Sequence, residues 1–150
     1  MSDPLRTVEA LIARGTGPAL GAPDRPDLDY AGLAAQIDHV AGQLAGLGLG
    51  PGDNVAIVLP NGPEMASAFM AVASCAIAAP LNPAYTEDEF AFYMDDLGAK
   101  ALIVMQGVDT PARAAAARHA IRLLEAAADA NEPAGRFTLT EGGAALPVAE

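Results

Sequence analysis

Between Asn54 and Met105 the sequence alternates in a pattern that few folds accommodate. Asn54-Val55-Ala56-Ile57-Val58-Leu59 is a short apolar run, as expected of a strand buried on both faces. Pro60-Asn61-Gly62-Pro63-Glu64 ends it and prepares a helix. Asn61 can cap the first free N–H groups, Pro63 suits the first turn, and Glu64 stands where a capping box takes an acid. Met65 to Ile77 is apolar nearly all round, which predicts a buried rather than an amphipathic helix. Ala78-Ala79-Pro80-Leu81 is a short strand candidate, with Pro80 at its end or at a kink. Thr86-Glu87-Asp88-Glu89 is a capping box, and Phe90, Met94 and Leu97 then fall on one helical face. Gly98 ends that helix, and Lys100 to Met105 is the third strand. Strands alternating with helices imply right-handed crossovers. The predicted class is therefore α/β: a parallel-sheet, three-layer βαβαβ subdomain with its core at 54–105.

The flanks are less regular. Pro4 to Arg14 suits a helix capped by Thr7 or Ser2 and ended by Gly15. Ala19-Leu20-Gly21 and Asp27 to Tyr30 are at most short edge strands. Asp29 can cap a helix whose Leu33, Ile37, Val40, Leu44 and Leu47 form one apolar stripe. Gln36, Asp38, His39 and Gln43 lie elsewhere on that wheel, and His39 reads as solvated. Gly46, Gly48, Gly50, Pro51 and Gly52 follow a helix and precede a strand. That is the reverse of a dinucleotide loop, and no Gly-Lys-Ser or Gly-Lys-Thr follows, so helix termination explains these glycines. Beyond Met105, Ala112 to Ala120 is helix-forming, and propensity would extend that helix through Ala130. Ile121, Leu123 and Leu124 could instead open a fourth strand. Arg136 to Thr140 alternates like an edge strand, and Glu141 to Glu150 reads as a linker.

Composition narrows the function classes. Eight Lys plus Arg against 19 Asp plus Glu give a net charge of −11, which repels phosphate backbones and argues against nucleic acid as a partner. Lys100 is the single lysine, and Cys75 the single cysteine, so no intrachain disulfide forms. Cys75 reads as a packing residue rather than a reactive one. His39 and His119 lack companions for a metal site. Asp95 and Asp96 are adjacent, diverge by about a hundred degrees on a helix, and do not form an acid pair. Met65 to Leu81 touches the lower limit of a membrane span, roughly 17 residues. Its Ala content, Ser67, Ser74 and closing Pro80 favour a helix feeding a strand. No basic start precedes an apolar signal core, so a cytoplasmic protein without a membrane partner is expected.

Four ordered segments resemble the N-terminal region of adenylate-forming acyl-CoA synthetases, the AMP-binding superfamily. They are Asp29-Tyr30-Ala31-Gly32-Leu33, Gly48 to Ile57, Leu59-Pro60-Asn61-Gly62-Pro63-Glu64, and Ala79-Pro80-Leu81-Asn82-Pro83-Ala84-Tyr85-Thr86 with Glu89 and Phe90 following. Each is ordinary alone; the ordered set, from about Leu28 to Met105, is specific. The last segment is most similar to the oxalate–CoA ligase and 4-coumarate–CoA ligase branch. The resemblance implies a two-step reaction, in which a carboxylate and ATP form an acyl-adenylate and pyrophosphate, and CoA then displaces AMP. ATP, magnesium and CoA are thus implied for the parent enzyme, and none for this chain.

The sequence departs from the family where the chemistry lies. The Ser/Thr/Gly-rich loop ending in Pro-Lys-Gly is absent, and Thr138 to Gly143 is its nearest text, without lysine. The Tyr-Gly-x-Thr-Glu motif and the C-terminal lid with its lysine are also absent, and Lys100 matches no catalytic position. No catalytic, cofactor-binding or metal residue is therefore assigned. Asn82 and Tyr85, at the end of a core strand, could shape a wall of the parent site, although a turn at Asn82-Pro83 and a cap at Thr86 explain them more simply. The expectation is an N-terminal subdomain at 1–140, a linker at 141–150 toward a missing phosphate loop, and no activity from the chain alone. The alternative is a complete small α/β binding module without catalysis. The rest of the parent synthetase is the expected partner, with self-association of the isolated chain through surface that the parent would bury.

Overall fold

The computed structural model describes residues 7–150. The expected cap at Ser2 and helix start at Pro4 lie outside the described residues. Thr7 caps α1 (Val8–Ile12) by accepting from the Ala10 N–H at 3.2 Å. β1 (Pro18–Leu20) and β2 (Leu28–Asp29) pair antiparallel in a small sheet of their own. Asp29 caps α2 (Tyr30–Gly46), its carboxylate accepting from Gly32 N–H at 2.6 Å. There follow β3 (Asn54–Val58), α3 (Pro63–Cys75), β4 (Ile77–Pro80), α4 (Glu87–Leu97) and β5 (Ala101–Met105). Then come α5 (Pro111–Arg118), β6 (Arg122–Ala127), β7 (Thr138–Glu141) and β8 (Ala144–Ala145). The main sheet runs β4-β3-β5-β6-β7-β8, parallel from β4 to β6 and antiparallel thereafter.

Alternation along β3 and β5 sorts the core into two layers. Val55, Ile57, Leu59, Ala101 and Ile103 pack with the α2 stripe and with Ala68, Ala71 and Val72 of α3. Ala56, Val58, Leu102 and Val104 pack with Phe90 and Met94 of α4 and with Ala112, Ala115 and Ala116 of α5. The sheet is thus covered on both faces, giving the expected three layers. The capping box of α4 is complete: Thr86 accepts from Glu89 N–H at 3.3 Å and Glu89 accepts from Thr86 N–H at 2.7 Å. Gly98 ends α4 in the left-handed region at φ 60°.

Several expectations are corrected. Asn61 does not cap α3; Gly62 occupies that position without a side-chain bond, and Glu64 turns instead to an ion pair with Arg25. Nor is α3 buried all round. Ser67, Ala68, Ala71 and Val72 face inward, while Phe69 is 43% exposed, because no further layer covers the helix's outer side. The alanine-rich helix does not run to Ala130. It stops at Arg118, Ala120 turns to φ 52°, and the chain enters β6. Pairing with the free edge of β5 there outweighs local alanine propensity.

The segment 141–150 is not a free linker. Gly142 and Gly143, at φ 60° and 85°, turn β7 into β8, so β7 is an interior strand rather than the expected edge. The chain then runs back along α2, with Ala149 N–H donating to Gly42 O at 3.0 Å. A Cβ on Gly42 would lie 2.4 Å from Val148, so glycine is what lets the tail approach.

Two glutamines from the supposed polar side of α2 fasten this hairpin. Gln36 donates to Phe137 O at 2.8 Å. Gln43 is wholly buried; its amide nitrogen donates to Leu139 O at 3.1 Å and Leu146 O at 2.8 Å, and its oxygen accepts from Leu139 N–H at 2.9 Å. His39 is not simply solvated, since its Nε2 lies 3.0 Å from the Thr138 hydroxyl. Gln43→Leu takes the partner from the buried Leu139 N–H and from the part-buried Leu146 O, while Leu139 O keeps its bond from Leu146 N–H, so we expect it to destabilise the chain by about 2–4 kcal/mol, read from the urea midpoint.

Candidate functional site

The crossovers mark the edge at which open α/β sheets meet ligands. The connection leaving β3 passes over one face of the sheet through α3, and that leaving β5 passes over the other through α5. Adjacent parallel strands whose connections diverge leave a crevice at their carboxyl ends. Here it is a cleft of about 120 Å³. Leu59 and Pro60 bound it after β3, Pro83 after β4, and Val108, Asp109 and Thr110 after β5.

The turn after β5 is held from behind. Arg113 donates to Met105 O at 2.9 Å, to Val108 O at 3.0 Å and to the Glu125 carboxylate at 2.9 Å. Its guanidinium is therefore committed to shaping the turn. Thr110 spends its hydroxyl capping α5, accepting from Ala112 N–H at 3.3 Å. Among the described residues no lysine or arginine lines the cleft, and Asp109 brings a negative charge to it. This donor set does not suit a triphosphate.

The residues singled out in the sequence scatter. Asn82 makes a local turn, its side-chain oxygen accepting from Ala84 N–H at 3.0 Å. Tyr85 stacks on Tyr93 at 5.0 Å and meets Phe90 edge-on at 5.7 Å. Desolvation first, and then Tyr93 beside it, push the Tyr85 phenol above its ordinary value. The loop does reach the crevice, but through Pro83. Lys100 lies at the opposite edge of the sheet, its N–H donating to Asn54 O at 2.8 Å. The glycines after α2 lie at that edge too, where Asp53 accepts from Gly50 N–H at 2.8 Å. Asp95 faces His119 across 3.7 Å while Asp96 is exposed, so the two acids do not converge. Among the described residues no group of three or more His, Cys, Asp or Glu could hold a metal ion. None of the helices there is long and apolar enough to cross a membrane.

The residue that sequence reasoning missed is Arg25. It lies in a Gly/Pro/Asp-rich loop and reaches Glu64, 39 positions away, as well as carbonyls more than a hundred positions away. Nothing local in the sequence signals such a contact.

An open α/β sheet with helices on both faces and a switch-point crevice defines a broad class of ligand-handling domains. Comparison with known proteins is narrower: residues 11–146 match the family described as AMP-binding enzyme. The chain belongs to that family. The Humulus lupulus protein named Probable CoA ligase CCL9 is 46% identical over 92 residues, covering 61% of this chain and 18% of the relative. The oxalate–CoA ligase of Arabidopsis thaliana is 39% identical over 102 residues, covering 67% of this chain and 20% of the relative. The chain thus spans about a fifth of the length of these curated relatives. Among solved structures, apo MatB from Rhodopseudomonas palustris superposes with a TM-score of 0.69 at 23% identity, over 79% of this chain and 25% of that one. A benzoate CoA ligase from Burkholderia xenovorans LB400 gives 0.70 at 17% identity over the same shares, and these two likenesses establish the fold.

Cys75 is half-buried in the last turn of α3, its thiol directed at Ala71 O at 3.4 Å. Burial, reinforced by the charge of Glu9, pushes the thiol above its ordinary value, with the neighbouring Ser74 opposing. Less thiolate at a given pH means slower alkylation. At pH 8 we expect Cys75 to react with iodoacetamide several-fold more slowly than cysteine in an unfolded peptide, followed by intact mass.

Proposed function

We propose that these residues form the sheet platform of an acid–CoA ligase of the AMP-forming type. The reaction proposed for the whole ligase converts a carboxylate, ATP and CoA to acyl-CoA, AMP and pyrophosphate through an acyl-adenylate. Two curated relatives named oxalate–CoA ligase and one named 4-coumarate–CoA ligase 4 support this reaction class. The observation that carries the division of labour is the cation-free lining of the switch-point crevice. In-line chemistry at a phosphate needs positive charge aimed at developing negative charge, and these side chains supply none there. Magnesium, the metal that accompanies the nucleotide, would neutralise phosphate charge when bound, but among the described residues no group of three or more His, Cys, Asp or Glu could hold it. The platform's contribution is positional: β3, β5 and the Arg113-held turn offer a rigid wall. Phosphate and thioester chemistry fall to other polypeptide of the ligase.

The reading predicts no ATP–pyrophosphate exchange by the purified 150-residue chain, measured with labelled pyrophosphate. Exchange at enzyme-like rates from pure material overturns it.

The same reading assigns the rest of the synthetase as the partner of the uncovered side of α3. Met65 is half-buried there, Ala73 is exposed and Phe69 is 43% exposed, while Ile77, which opens β4 after the helix, is 44% exposed. Without that cover the apolar side seeks another. Sedimentation should find the isolated chain as a dimer or larger at roughly tens of micromolar, with Phe69→Asp shifting it toward monomer. A wild-type monomer at that concentration counts against the assignment.

A further inference from the structure

The connection between β6 and β7 crosses the carboxyl edge of the sheet, and its two halves are held differently. Residues 128–132 are exposed, whereas Ala134 and Phe137 are buried at 0% and 3% exposure. The inner half has its own anchors. Ala134 N–H donates to Pro26 O at 2.9 Å, and the Ser67 hydroxyl donates to Gly135 O at 2.7 Å. Gly135, at φ +90°, sits so near β1 and the start of α3 that a Cβ would come within 2.7 Å of Leu20 and 3.2 Å of Pro63 O.

The outer half is tied to the body of the fold by Arg25, while Arg136, within the same connection, donates to the Glu132 carboxylate at 3.1 Å. Arg25 donates to Pro133 O at 3.2 Å and reaches Asp129 O and Glu132 O at 3.4 Å. Its other terminal nitrogen pairs with Glu64 in the first turn of α3. The pair is withdrawn from solvent, with side chains 14% and 9% exposed, and the Arg25 Nε is buried without a partner. A guanidinium aimed by a buried carboxylate is rigid, and its fork can serve several carbonyls at once.

We propose that Arg25 and Glu64 form a latch that holds residues 128–133 as a strap across the carboxyl edge of the sheet, separable from the fold of the sheet itself. Releasing Arg25 frees the outer half, while Ala134 to Phe137 stay anchored by contacts that do not involve it. The edge concerned is the one at which open α/β sheets meet ligands, so the latch sets how much of it is covered. The inference stands apart from the ligase reading, since it requires only this chain.

Limited proteolysis with endoproteinase Asp-N tests it on the full 150-residue chain, comparing cleavage of the Ala128–Asp129 bond with cleavage before Asp53 and Asp95 by mass spectrometry. For Arg25→Met we expect cutting before Asp129 to accelerate at least about tenfold with the other two bonds unchanged, as for a local opening. Glu64→Gln, which keeps the shape but loses the charge, should give a rise of a few-fold on the same principle. Arg25→Lys should not restore protection, because an ammonium cannot span the carboxylate and three carbonyls. An unchanged rate before Asp129 in Arg25→Met overturns the latch. So does an equal rise at all three bonds, or failure of Arg25→Met to fold, since either would make the pair part of the global core.

Discussion

Burial of β3 and β5 on both faces is the constraint from which the rest of the structure follows. Val55, Ala56 and Ile57, and the four residues from Ala101 to Val104, are at 0% exposure. Fully burying a side chain of the Val, Ile or Leu type contributes roughly 1.5–3 kcal/mol, but only if something covers each face. Helices supply the cover, and parallel strands need crossovers in any case. Sending α2 and α3 to one face and α4 and α5 to the other satisfies both demands. The crevice after β3 and β5 is the geometric by-product of that division.

A second constraint acts at the far end of the sheet. β7 and β8 run antiparallel and bring unpaired backbone groups under α2. Polar groups buried without partners are costly, so a helix facing such a strand cannot be wholly apolar. Gln36 and Gln43 meet this need from within the helix. Arg25 does similar work at the carboxyl edge, gathering carbonyls from a loop that has no strand to pair with. Amides suffice under α2, where the spare groups lie in and beside the β7–β8 hairpin, while the looser connection takes a charged fork backed by Glu64.

The lining of the crevice supports the proposed role of the chain as a platform. The described walls of that crevice are apolar side chains with Asp109 and Thr110, and the Arg113 guanidinium holds the turn that forms the wall. The family match over residues 11–146 and the share of the relatives that the chain spans fit that reading. Tyr85 and Asn82 were legible as neighbours of this edge because a parallel strand must deliver its following loop there. Their side chains nevertheless serve the loop: one packs on Tyr93 and Phe90, the other closes a turn.

Local chemistry in the sequence was enough to determine the strands at Asn54 and Ala101, the box at Thr86 and Glu89, the stop at Gly98 and the cap at Asp29. Each depends on residues within a few positions of one another, so periodicity and capping report them directly. Long-range pairing decided the remainder. The helix after Pro111 ends early because β5 offers an edge; the segment after Glu141 is ordered because Gly42 and Gln43 receive it; and Glu64 abandons a cap because Arg25 arrives from a distant loop. These outcomes hinge on partners as far as 39 and 103 positions away, separations at which no local pattern carries information.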